Sequence, residues 1–455
     1  MYKDLFNTFS GVLSKLLPIV LSLILMPQIL EIVGFEAFSI LGYIAIFTQI
    51  FGFFDLGLST LILKKIAQND QNKVSNEIVT IEWLYVIIGF LIFFLILLFS
   101  QYLTSYWIPF QSLNGISIQS YFILIGLLLF AQWPISLYHN ALFGFDKQIL
   151  ANFIYLVISI LKISIGYFIV LKTTSIWYFI VFQIVMVSFH LLVLNLIFNL
   201  KMIKFKIQWS IFYQNIKNLK SWILPFLVIG VSVLIATDLD KLLISKLLTV
   251  KEFALFSLIM PIVSGIFLLN TNIKTATFPQ ISKDILSSSN IFLNFNTYQN
   301  YYIFISLPIL VFSMVSSKSF IWIWTRNIDF VHILNLPFKL LVSGAVLFSL
   351  TINIQNYLTA TNHLKPIKNF FLFSAFCFLF VVYILSSKYG LLGASISQFL
   401  FGLIGFIYFA IIAQKELKLV FIKSDNYIRF VLYLLICIGF SFLFNLTISY
   451  LFPIQ

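Results

Sequence analysis

Residues 150–199 read LANFIYLVISILKISIGYFIVLKTTSIWYFIVFQIVMVSFHLLVLNLIFN, two apolar runs (150–171 and 176–199) on either side of the short polar turn Lys172-Thr173-Thr174-Ser175. At ~1.5 Å per residue each run makes a helix long enough to cross a hydrocarbon core of ~30 Å. Two such helices joined by so short a turn form a hairpin that crosses a bilayer and returns. The same pattern continues in both directions, with spans expected at about 8–31, 37–62, 77–99, 118–142, 150–171, 176–199, 221–244, 252–273, 300–316, 334–357, 369–386, 391–413 and 428–450. Composition agrees: of 455 residues 61% are hydrophobic and 9% charged, with a mean hydropathy of +1.04. A water-soluble globule carries about a quarter charged residues, and the alternating ~10-residue segments of a membrane barrel are absent. The chain is therefore expected to be an all-α polytopic membrane protein that lies in the lipid bilayer.

Its formal charge of +13 comes from 28 Lys and Arg against 15 Asp and Glu. With a cytoplasmic N-terminus, 18 of the 28 fall in inside segments and 6 outside, while Lys15, Lys162, Lys241 and Lys339 lie within or at the ends of spans. This is the positive-inside pattern, so the basic excess orients the chain and no nucleic acid is needed to explain it. The N-terminal MYKDLFNTFSG runs straight into a full-length span with no small-residue cleavage pattern and reads as an anchor. Cys377 and Cys437 both lie in apolar segments and read as buried filler.

A shift of about 217 residues superposes six consecutive spans on the next six: Phe38-Ser39 meets Phe256-Ser257, Asn152-Phe153 meets Asn369-Phe370, and Gln183 falls near Gln398. Six is even, so the halves share an orientation and are related by a pseudo-two-fold axis along the membrane normal. The expected organisation is a six-helix lobe at 1–200, a cytoplasmic amphipathic linker at 201–220, a second six-helix lobe at 221–413, and a basic linker with an extra transmembrane helix at 414–455.

Ionisable groups inside spans are costly, about 2.5–3.5 kcal/mol each on insertion scales, and so mark interior or aqueous faces. Lys15 sits in the stripe Thr8, Gly11, Lys15, Pro18, Ser22, and Lys162 in Asn152, Tyr155, Ser159, Lys162, Gly166; the 3-4-3-4 spacing puts each set on one helical face. Lys15, Lys162 and Ser159, with Asn353 and Asn356 from a polar face of span 10, are the candidate substrate-binding residues; snorkelling lysines and amide glue between helices are the plain alternatives. In Thr237-Asp238-Leu239-Asp240-Lys241 the two aspartates stand ~200° apart on a helix. Asp238 can pair with Lys241, which leaves Asp240 as a candidate for ion coupling by H+ or Na+, with Asp55 as the second. His139 and His190 read as isolated packed histidines. No cofactor and no metal site is expected. Neither a phosphate loop, a His-x-x-x-His pair nor a Ser/His/Asp set stands out, and the longest outer loop, 101–118, is uncharged, so the chain reads as a transporter and not an enzyme.

The stretches LEIVGFEAFSILGYIAIFTQIFGFFDLGLSTLILKKIA (30–67), NALFGFDKQILANF (140–153), ATDLDKLLISKLLTVKEFALFSLIMP (236–261), ATFPQIS (276–282) and YGLLGASISQ (389–398) together resemble, in order and spacing, the O-antigen flippases of the multidrug/oligosaccharidyl-lipid/polysaccharide exporter superfamily. That resemblance implies alternating access between two six-helix lobes. Its cargo would be an undecaprenyl-diphosphate-linked oligosaccharide, carried to the outer face of the bacterial inner membrane, with other proteins of polysaccharide assembly as candidate partners. It also implies basic residues in spans 1 and 5, here Lys15 and Lys162, and an acid followed by a base in span 7, here Asp240-Lys241. The alternatives are a multidrug cation antiporter of the same superfamily and a membrane polysaccharide polymerase or ligase.

Overall fold

A backbone in hydrocarbon must satisfy its own hydrogen bonds, so uninterrupted apolar runs fold as long helices. The structure, a computed structural model, describes residues 2–55, 57–68, 75–108, 110, 112–199, 231, 233–235, 237–286, 291–361, 363–416 and 427–451. The first helices are α1 (Tyr2–Gly52), α2 (Leu58–Gln68), α3 (Ser75–Tyr102), α4 (Ile118–Gln132), α5 (Ile135–Gly144), α6 (Gln148–Thr173) and α7 (Ile176–Asn199). After residues outside the description come α8 (Leu239–Leu247), α9 (Val250–Leu286), α10 (Ile291–Thr325), α11 (Ile328–Ser349), α12 (Ile352–Ala360), α13 (Leu364–Glu416) and α14 (Tyr427–Leu451).

Ten segments among the described residues are long and apolar enough to cross a membrane. Two of them, Ser10–Asp55 and Lys365–Lys415, have 46 and 51 residues, about 70–75 Å as straight helix, far more than one crossing needs. Each is two helices joined at a glycine with positive φ, Gly34 (81°) and Gly390 (56°). These ten segments thus hold twelve of the thirteen expected spans; half of the seventh, 221–244, lies outside the described residues, as do the 201–220 linker and 417–426. The protein is a multi-pass, all-α membrane protein. Thr174 after α6 (φ 50°) and Gly390 inside α13 (φ 56°) both take positive φ and stand 216 positions apart, close to the expected shift.

The chain divides into two compact units, Met1–Leu242 and Leu243–Gln455. In the first, α1 packs on α6, α2 on α5, α3 on α4, and α7 on α4 and α6. In the second, α11 packs on α13, α10 on α11 and α14, and α9 on α11 and α12. The α11–α13 crossing is tight because Gly344 meets Gly402; a Cβ on Gly344 would come within 2.8 Å of the Gln398 carbonyl oxygen. The uncharged loop between α3 and α4 forms a small hairpin, Ser112 opposite Ser117 and Leu113 opposite Ile116, about Asn114-Gly115, a pair that favours such turns.

Candidate functional site

The two lysines expected to meet an anion stand on neighbouring helices of the first unit. Their small-residue stripes touch: a Cβ on Gly11 would lie 3.6 Å from Asn152 Nδ2, which donates to Ser10 Oγ at 3.0 Å. Farther along the same helix pair, Tyr167 Oη donates to Gln28 Oε1. Lys15 is exposed and Lys162 half-buried, while Ser159 is buried and hydrogen-bonds Tyr155. Gln183 Nε2 of α7 donates to the Lys162 carbonyl at 3.3 Å.

The expectation that the two histidines stand alone is corrected here. His139 of α5 and His190 of α7 flank the ring of Tyr155, each with its centroid 6.0 Å away. His139 also packs on Phe143 at 4.7 Å and hydrogen-bonds the Ala151 backbone, and the Nε2 atoms of both imidazoles are buried without a hydrogen-bond partner. Lys15 is near enough for its charge to act on His139, and His139 and Lys162 act likewise on His190. His139 and His190 therefore meet at Tyr155, with Lys15 and Lys162 within electrostatic reach of them, four cationic or protonatable groups from four helices. None of them has a carboxylate partner among the described residues, and no group of three His, Cys, Asp or Glu there could hold a metal ion. What such a cluster can do chemically is receive an anion, which offsets the mutual repulsion of the lysines and offers acceptors to the imidazoles.

At the start of α8, Lys241 pairs with Asp238 at 2.9 Å, the i,i+3 contact expected, and donates to Gln49 Oε1 of α1 at 3.0 Å. Asp240 is 1% exposed. In the second unit Asn353 and Asn356 are fully buried: Asn353 Nδ2 donates to Gln299 Oε1 at 2.9 Å and Asn356 Nδ2 to the Lys274 carbonyl at 3.4 Å. These contacts tie α12 to α10 and α9, the amide-glue arrangement.

Asp55, after the end of α1, accepts from Tyr85 Oη and from Ser59 Oγ, the latter at 2.9 Å. It borders a cavity of about 340 Å³ that Thr48, Gln132, Trp133 and Ser136 also line. Sequence reasoning passed over Gln132, Trp133 and Tyr85. A signal was available in Gln132-Trp133-Pro134-Ile135-Ser136, a polar, helix-breaking cluster in the middle of an apolar span.

A family model described as polysaccharide biosynthesis protein matches residues 32–325. No curated protein matches the chain in sequence. Among solved structures the chain is similar to the lipid II flippase MurJ in an inward closed conformation, with a TM-score of 0.72 and 15% identity over 99% of this chain and 98% of that one. It is also similar to an inward-facing multidrug resistance MATE family transporter of the MOP superfamily (TM-score 0.64, 16% identity, 88% and 96% covered). A third likeness is to a MOP superfamily transporter from Pyrococcus furiosus (0.56, 16%, 89% and 93%). At these identities the likeness is one of fold.

Proposed function

Because the chain belongs to the polysaccharide biosynthesis protein family and shares the fold of MurJ and the MATE transporters, we propose that it is a flippase for a lipid-linked oligosaccharide. The cargo is an undecaprenyl-diphosphate-linked repeat unit of the O-antigen or surface-polysaccharide type, moved by alternating access to the outer face of a bacterial inner membrane. The observation that carries this reading is the Lys15, His139, His190 and Lys162 cluster, cationic and without a carboxylate partner among the described residues. A diphosphate supplies the negative charge these groups lack, and in a site shielded from water each ammonium-to-oxygen hydrogen bond is worth more than in bulk solvent. The lipid tail can stay in the bilayer while head group and sugars move.

A multidrug cation exporter needs a free carboxylate where this unit presents lysines, and the nearest acid before α8, Asp238, is already held by Lys241. Coupling to H+ or Na+ is assigned to Asp240 on its burial, since a ligand shifts an equilibrium only through differential affinity for its two states and a buried acid changes its surroundings most between conformations. The deciding experiment is reconstitution: proteoliposomes holding the purified protein should expose a fluorescent polyprenyl-diphosphate sugar to an external reductant faster than empty liposomes. Equal rates for the two would remove the proposal.

A further inference from the structure

Resting on the flippase reading, we propose that the cavity bordered by Asp55, Thr48, Gln132, Trp133 and Ser136 is a subsite for a sugar ring of the cargo, separate from the cluster that meets the diphosphate. Its volume of about 340 Å³ is near the lower end of ligand pockets, ~300–1,000 Å³, a size for one or two sugar rings and too large for a lone ion. The chemistry of its wall is mixed in the way a polyol requires. Asp55 accepts from Tyr85 and Ser59, which fix its orientation and leave part of a carboxylate's roughly four acceptor sites for hydroxyl donors. Thr48 and Gln132 have no hydrogen-bond partner among the described residues, and each both donates and accepts. The indole of Trp133, 9% exposed, has its Nε1–H buried without an acceptor, and its ring packs on Tyr85 at 5.5 Å. Phe51, also in the wall, adds an apolar face for the C–H side of a pyranose.

A bound cation would use Asp55 and leave the indole N–H and the Gln132 amide unanswered; a lipid chain would leave every polar group unanswered. Only a ligand rich in hydroxyls satisfies donors and acceptors together. The pattern of the chain agrees: Thr48, Gly52 and Asp55 recur at helical spacing on one face of the α1 region, and Leu129, Gln132, Trp133 and Ser136 do so along α4 and α5.

The test uses the full chain in lipid nanodiscs and four probes: undecaprenyl diphosphate bare, and carrying one glucose, one galactose or one N-acetylglucosamine. Wild type is expected to bind at least one glycosylated probe about fivefold or more tighter than the bare lipid, the ratio one or more hydrogen bonds supply. Trp133→Phe, which keeps the ring against Tyr85 and removes only the N–H, should bring that ratio close to one, as should Asp55→Asn. Lys162→Ala should weaken all four probes and leave the ratio in place. Equal binding of all four by wild type overturns the sugar subsite and leaves the flippase reading standing, whereas binding of none removes both. A ratio that survives Trp133→Phe also overturns the subsite, as does an Asp55→Asn variant that loses sodium or proton dependence and keeps its sugar preference.

Discussion

Lys162 concentrates the argument about charge. An ammonium within a span costs about 2.5–3.5 kcal/mol on insertion scales, and this one is half-buried with no carboxylate partner among the described residues. Lys162→Ala is therefore expected to reach the membrane at normal level and yet lower affinity for undecaprenyl diphosphate by tenfold or more, which is ~1.4 kcal/mol. It should also abolish surface polysaccharide in a complementation assay. Lys162→Arg keeps the charge and should retain most of both, and Lys15→Ala should lose less because Lys15 is exposed. Full complementation by both alanine variants would leave the lysines as snorkelling side chains. The Asp238–Lys241 pair sharpens a second expectation: Asp240→Asn should express normally and transport poorly, with a smaller defect from Asp238→Asn. The reverse order in a transport assay would move the coupling role to Asp238. How far this site could be read in the chain follows from distance along it. Both lysine stripes were legible because 3-4-3-4 spacing is a property of one helix. The histidines were not, because 51 positions separate His139 from His190 and the group between them, Tyr155, comes from a third helix.

Helices are held in place at their ends as much as along their faces. At the start of α9, Thr249 and Glu252 form a reciprocal cap: the Glu252 carboxylate accepts from the Thr249 amide at 3.0 Å and hydroxyl at 2.7 Å, and the Glu252 amide donates to Thr249 Oγ1 at 3.3 Å. The same carboxylate accepts from the Leu391 amide at 3.0 Å, which pins the turn between the two spans of α13. Gly390 there has φ 56° and ψ −134°, a region almost confined to glycine, and a Cβ would strike Glu252. Gly390→Ala should lower stability by about 1–3 kcal/mol, and Glu252→Ala by about 1–3 kcal/mol through the orphaned Leu391 N–H. Thermal unfolding in detergent measures both. In the matching stretch of the first half Glu252 falls opposite Gly34, and Glu36 beside it is exposed, so Glu36→Ala should leave unfolding nearly unchanged; an equal loss would mean that the two turns are braced alike. Span positions were legible because an apolar run of ~20 residues has few alternatives in a bilayer. The bracing between the KEFALFS and YGLLGAS stretches was not, because it links a side chain to a backbone amide 139 positions away.

At the scale of the whole molecule the open quantity is the sidedness of the C-terminus, and the second unit supplies an argument for it. α14 lies along α10 with a rising register: Tyr433 Oη donates to the Phe304 carbonyl at 2.7 Å, Ser316 Oγ to the Ser441 carbonyl at 2.9 Å, and Ser319 Oγ to Asn445 Oδ1 at 2.7 Å. Residue numbers increase together on both helices, so the two run parallel. Contacts between residues 433 and 445 of α14 extend over about 18 Å, more than half of a ~30 Å core, and suit a helix that crosses, not one that lies on the surface. Parallel neighbours cross in the same direction, so the C-terminus emerges on the side where α10 ends. With 18 basic residues expected on one face against 6 on the other, the positive-inside bias predicts a cytoplasmic location for 201–220. α10, the ninth span, then runs outward. Reporter fusions at 201–220 should give cytoplasmic signals, and a tag after residue 455 should be accessible from outside intact cells. A cytoplasmic signal from both sites would mean that an even number of crossings separates 201–220 from the C-terminus, which the parallel α10–α14 packing forbids with span 7 in place. Inverted signals at both sites would keep the fold and reverse the charge argument.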